Sequence, residues 1–225
     1  ALMAVTTLTT ATSAPPPRKK SITDNISELP FLLICKPEQS GKTFIMIQQL
    51  ISDLHEPDEQ GRTTINFIFC DNSLLLTKQT SERIDGDLKN FVAEDGKTYV
   101  EFSSRPGNEY NCRPAVSEAI LVDDVTNLVC CTNATRITDV DKIIRRLTKS
   151  KQQRGKFIFK IWLDEADKFV SPIKKKFIPL LRELDGSVEL KCLTATPDSL
   201  FKKLHGINVF PLERTTTDAY HGWND

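Results

Sequence analysis

The sequence predicts an α/β fold: a mainly parallel β-sheet with helices on both faces. Two observations predict it. Short runs such as FLLIC (31–35), TTINFIFC (63–70), NLVCC (127–131) and FIFKIWL (157–163) are apolar at nearly every position, as strands buried on both faces are. Between them lie longer segments with helical spacing of apolar residues, and that alternation is the signature of a sheet wrapped by its crossover helices. A length of 225 residues, 39% hydrophobic and 27% charged, suits one such domain.

Taken in order, residues 1–24 are Thr-, Ala- and Pro-rich with a basic end, and read as a disordered tail. Order is expected from residue 25 to 215. LPFLLICKP is a strand and a loop, followed by the helix TFIMIQQLISDL with Ile45, Ile47, Leu50, Ile51 and Leu54 as its core stripe. TTINFIFC is a second strand, and SLLLTKQTSERI (73–84) a helix. Residues 85–118 are less regular: EDGKTYVEFSS suggests a turn and short strand, and RPGNEYNCRPAV reads as loop. NLVCCTN is a strand. TDVDKIIRRLTKSKQ (138–152) is an amphipathic helix starting near Thr138 or Asp139. KFIFKIWLDEAD is a strand running into an acidic turn. SPIKKKFIPLLREL is helical, bent or interrupted at Pro179. VELKCLTATP is a strand stopped by Pro197, and GINVFPLER a last strand.

Charge excludes some functions. Thirty basic residues balance 30 acidic ones, so no global field draws the chain to nucleic acid or a membrane, and such contact must come from local patches. No apolar run reaches the roughly 18–20 residues of a membrane span. Six cysteines without C-x-x-C spacing, and three histidines, argue against a structural zinc site. Five of the cysteines fall in strand-like runs and read as buried, reduced thiols of an intracellular, non-secreted protein. Basic residues gather at 142–160 and at Lys174-Lys175-Lys176. A nucleic-acid surface and a merely solvated face are both open readings of them.

KPEQSGKTF (36–44) carries the first chemical signal. Gly41-Lys42-Thr43 follows an apolar strand and opens an amphipathic helix, the setting of a phosphate-binding loop. Such a loop needs inward backbone N–H groups, a lysine for the terminal phosphates and a hydroxyl for magnesium. Gln39, Ser40, Gly41, Lys42, Thr43 and Phe44 are the nucleotide-binding candidates. The start departs from the pattern, with Lys36 where glycine is expected. The second signal is Asp164-Glu165-Ala166-Asp167 at the end of a buried strand. Carboxylates there are costly unless paired or near a metal, and ligands of open α/β sheets bind at strand carboxyl ends. Thr43 and Asp164 can therefore converge on one magnesium ion.

QSGKT, DEAD and LTATP stand in the order and spacing of motifs I, II and III of the superfamily 2 (DExD/H-box) helicases, and the chain resembles their first RecA-like ATP-binding domain over residues 30–215. QSGKT beside DEAD looks more like helicase-like proteins of large DNA viruses than cellular RNA helicases. The resemblance implies Mg-ATP as cofactor, with Lys42, Asp164 and Glu165 catalytic. Lys42 would hold the β- and γ-phosphates, Thr43 and Asp164 the magnesium, and Glu165 would activate the attacking water. Asp167, Thr194 and Thr196 would couple hydrolysis to strand movement. By position in motifs Ia and Ib, Asn72, Gln79, Thr80, Thr132, Asn133 and Arg136 would hold single-stranded RNA or DNA; a polar cap or loop is the equal alternative for each. Gln39 stands where the DEAD-box subgroup has glycine, so the loop is either shaped differently around Gln39 or binds phosphate less well. A second RecA-like domain is the implied partner, with residues 216–225 as the start of a linker to it.

Two rival readings are a phosphate-loop ATPase acting on something other than nucleic acid, and a helicase-derived binding module without ATPase activity. LTATP argues against the first, and retention of Lys42, Thr43, Asp164 and Glu165 against the second.

Overall fold

A computed structural model describes residues 25–37, 41–55, 58–70, 74–92 and 96–210. The expected tail (1–24) and linker (216–225) lie outside the described residues. Seven strands form one sheet: β1 (Phe31–Cys35), β2 (Thr63–Cys70), β3 (Val100–Phe102), β4 (Asn127–Cys131), β5 (Phe157–Leu163), β6 (Val188–Thr194) and β7 (Asn208–Val209). Their order is β3-β4-β2-β5-β6-β1-β7, and every neighbouring pair is parallel. The helices are α1 (Lys42–His55), α2 (Leu74–Leu88), α3 (Arg113–Leu121), α4 (Ala134–Lys149), the short α5 (Val170–Pro172) and α6 (Ile178–Glu183), and α7 (Asp198–Lys203).

This order sorts the helices between the two faces. The connections β1→β2 and β2→β3 run one way across the sheet, and the four later ones run the other way. Right-handed crossovers then place α1 and α2 on one face and the remaining helices on the opposite one. The packing agrees. Met46, Ile47 and Leu50 of α1 and Ile84 and Leu88 of α2 cluster with Ile34, Ile68, Val129, Trp162 and Leu193. Phe67, Phe159, Ile161 and Leu190 face the opposite way, into the larger core built with α3, α4, α6 and α7. The alternation follows the two-residue period of each strand.

The α1/α2 face also buries a polar seam. Trp162 Nε1 donates to Asn66 Oδ1 (2.9 Å), Asn66 Nδ2 to Asn127 Oδ1 (3.2 Å), and Asn127 Nδ2 to the Thr98 carbonyl (3.0 Å). Lys160 on β5 reaches Asp53 on α1 at 2.6 Å, with both side chains largely shielded from solvent. Lys160 is thus a structural cation rather than part of a surface patch.

Several elements differ from the sequence expectation. RPGNEYNCRPAV, read as loop, contains the first turn of α3; Pro114 is tolerated there because the amide it lacks has no partner in a first turn. Helix α4 begins at Ala134, not near Thr138 or Asp139, because Asn133 caps it: its side chain accepts from the Arg136 N–H at 2.9 Å. Before Pro179 the helix opens into a π-helical turn, Ile173–Phe177, and α6 restarts with that proline in its first turn. On α1 the buried apolar positions are Met46, Ile47 and Leu50, while Ile45, Ile51 and Leu54 are half-buried at the edge of the core. Among the described residues the last strand is two residues long, and positions 211–214 of GINVFPLER lie outside them. Cys70, Cys130, Cys131 and Cys192 are buried, Cys35 is half-buried and Cys112 exposed; all are free thiols. Among the described residues, no helix is long and apolar enough to cross a membrane.

Candidate functional site

The loop leaves β1 under control of β6. The Lys36 N–H still donates to the Thr194 carbonyl at 3.2 Å, so the parallel ladder runs one residue past the strand. Gln39 and Ser40 lie outside the described residues. Gly41 has φ 87°, in the left-handed region that glycine enters freely. A Cβ there would meet only the Phe44 Cβ, at 3.8 Å, so conformation rather than space favours glycine. Lys42 and Thr43 open α1, with Lys42 buried, Thr43 half-buried and the Phe44 ring 62% exposed.

Two strands away, β5 delivers the acids. The Asp164 N–H donates to the Phe69 carbonyl at 3.0 Å, which fixes the end of the strand. Glu165 then turns into the left-handed region, at φ 54° and ψ 51°. A non-glycine residue held there stores strain, which is characteristic of functional turns. Glu165 Oε1 lies 3.7 Å from Lys42 Nζ, so the loop and the acidic turn meet. Burial pushes the Asp164 carboxyl above its ordinary value, against the opposing pull of the Glu165 backbone N–H, Lys42, Lys168 and Arg83.

Thr194, at the end of the intervening strand β6, is fully buried. Its hydroxyl donates to Asp167 Oδ1 at 2.7 Å and accepts from the Thr196 N–H at 3.0 Å. Ser199 Oγ donates to the Asp167 carbonyl at 3.3 Å. The three residues assigned to coupling therefore form one hydrogen-bonded unit.

Lys42, Thr43, Phe44, Asp164 and Glu165 line a common cleft of about 490 Å³ with Gly41. Ile47 of α1 and Arg83 and Asp87 of α2 complete its wall. Sequence reading missed these three: Ile47 looked like core alone, and Arg83 and Asp87 stand in an unremarkable helix some 40 residues downstream. Only the packing of α2 beside α1 brings them in.

The donor set suits a hard divalent cation. A Thr43 hydroxyl and an Asp164 carboxylate are oxygen ligands of the kind magnesium takes, alongside phosphates and water. The desolvated Asp164 carboxylate is also one that a cation would stabilise. Among the described residues no group of three or more His, Cys, Asp or Glu is arranged to hold a metal.

The nucleic-acid candidates are more scattered. Asn72 lies outside the described residues. Gln79 is exposed and Thr80 half-buried on α2. Thr132 donates its hydroxyl to the Cys70 carbonyl, and Asn133 caps α4. Arg136 is buried, with its guanidinium 4.4 Å from the Phe102 ring centroid and 3.2 Å from Asp139. These last three thus have local structural duties. In the basic stretch, Arg145 and Lys149 are both tied to Glu183.

Compared with models of known protein families and with curated protein sequences, the chain matches none of either.

Proposed function

We propose that this chain is a RecA-like, Mg-ATP-binding domain of a nucleic-acid-dependent ATPase of the superfamily 2 helicase type. The observation that carries the reading is the meeting of Lys42 and Thr43 with Asp164 and Glu165 in one cleft, at the carboxyl ends of two strands of a parallel sheet. A seven-stranded parallel sheet with that placement is consistent with a RecA-like domain.

On this reading Lys42 leaves Glu165 for the terminal phosphates, and the freed Glu165 carboxylate orients the attacking water. Thr43 and Asp164 would hold magnesium, which would supply charge neutralisation for the phosphates. Thr194 fixes Asp167, so a shift of the acidic turn is felt at β6 and α7. A second RecA-like domain supplies the groups that complete hydrolysis.

One observation favours a second reading, an ATPase acting on something other than nucleic acid: Thr132, Asn133 and Arg136 are already engaged within the fold. A titration of fluorescent Mg-ATP tests both. It is run on the wild type and on Lys42→Ala, with and without single-stranded oligonucleotide. Binding by the wild type and its loss in Lys42→Ala supports the nucleotide site; tighter binding with oligonucleotide selects the helicase reading. Equal binding by both proteins, or by neither, overturns the site. Oligonucleotide without effect moves the second reading ahead.

A further inference from the structure

We propose that Arg83, on α2, is a second cation of the nucleotide cleft, directed at the terminal phosphate and supplied by the same domain as the phosphate loop. The inference rests on the nucleotide-site reading above and deepens it.

Arg83 lines the same cleft as Lys42, Asp164 and Glu165. It is exposed and, among the described residues, forms no ion pair. Its neighbours on α2 do otherwise: Lys78 and Glu82 pair with each other at 3.6 Å, and Asp85 accepts from the Thr98 hydroxyl at 2.7 Å. Arg83 is thus left without an ion pair among the described residues and is available to an anion that enters the cleft.

Charge in the cleft points the same way. Its cations are Lys42 and Arg83; its anions are Asp164, Glu165 and Asp87. Lys42 faces Glu165 at 3.7 Å in the structure. A triphosphate, even with one magnesium, brings more negative charge than Lys42 alone offsets. Arg83 is the remaining cationic group of the wall. It shares the cleft wall with Asp164 and Glu165, which mark the acid-bearing end. A guanidinium at that end presents forked donors suited to phosphate oxygens. It distinguishes a triphosphate from a diphosphate, because only the former puts a phosphate beside the acids.

The test compares Arg83→Ala and Arg83→Lys with wild type and with Lys42→Ala, by titration with Mg-ATP and Mg-ADP. Thermal unfolding without nucleotide checks the fold, which an exposed arginine should leave unchanged. In Arg83→Ala, ATP affinity is expected to fall about tenfold and ADP affinity to stay near wild type, as loss of one charge-assisted phosphate contact predicts. Arg83→Lys retains part of the preference. Equal weakening of ATP and ADP, or no change in either, overturns the role of Arg83. If Lys42→Ala still abolishes binding in that case, the nucleotide site stands without it. A wild type that binds neither nucleotide overturns the site and this inference together.

Discussion

Thr194 donates its hydroxyl to Asp167 at 2.7 Å, while its own carbonyl accepts the Lys36 N–H at 3.2 Å. One buried residue thus holds the start of the loop after β1 through its backbone and the acidic turn through its side chain. The first segment follows β1 and the second follows β5, and neither strand touches the other.

Thr194→Val keeps the shape and β-propensity but removes the hydroxyl. Asp167 then loses its buried donor, and the Thr196 N–H its acceptor. We expect a loss of about 1–3 kcal/mol in urea unfolding, the range for removing a hydrogen bond to a charged group. Thr194→Ser should recover most of it. Equal stability of Thr194→Val and wild type would show that water replaces the bond.

Asp164→Asn should stabilise the domain at neutral pH. Burial raises the folded-state pKa of Asp164 above that of the unfolded chain. Between the ordinary and the raised value the native state binds more protons than the unfolded state. Stability from this group therefore falls as pH rises through that window and stays reduced above it. Urea unfolding across pH should show a gap between variant and wild type at neutral pH that closes below the ordinary carboxylate range.

Lys160→Met leaves the Asp53 carboxylate buried without its cation, although Gln49 still donates to it at 3.2 Å. Such a break costs about 3–5 kcal/mol. Combining it with Asp53→Leu should restore most of the loss, since it removes the stranded charge. An additive double variant, measured by the same denaturation, would show that the two residues act separately.

Glu165→Gly and Glu165→Ala both delete the carboxylate. They differ in backbone cost. At φ 54° alanine keeps the left-handed penalty and glycine does not. Glu165→Gly should be the more stable by about 1 kcal/mol in thermal or urea unfolding. The reverse order would mean that the turn relaxes once the side chain is gone.

The strands were legible because a strand buried on both faces leaves a run with few polar positions, and the helices because their apolar residues recur. Lys42, Thr43, Asp164 and Glu165 were legible because local motifs mark strand ends. The seam of Asn66, Asn127 and Trp162 was not: each is one residue on a different strand, and only lateral pairing joins them. Helix α3 was hidden by prolines and an asparagine-rich approach that read as loop. Arg83 was hidden because its partners are set by how α2 lies beside α1, which no short window encodes.

The position of β6 between β1 and β5 has one further consequence. Parallel strands sit about 4.8 Å apart because hydrogen bonds fix the spacing, so the gap between the loop strand and the acid strand comes in whole strand widths, here two. It cannot be tuned by degrees through core substitutions. Fine adjustment of this cleft to a larger or smaller ligand is left to the turns at 41–44 and 164–167 and to the side chains that α2 sends in from the flank. Directed evolution of the site would be expected to collect its useful changes there and to find the sheet beneath almost silent.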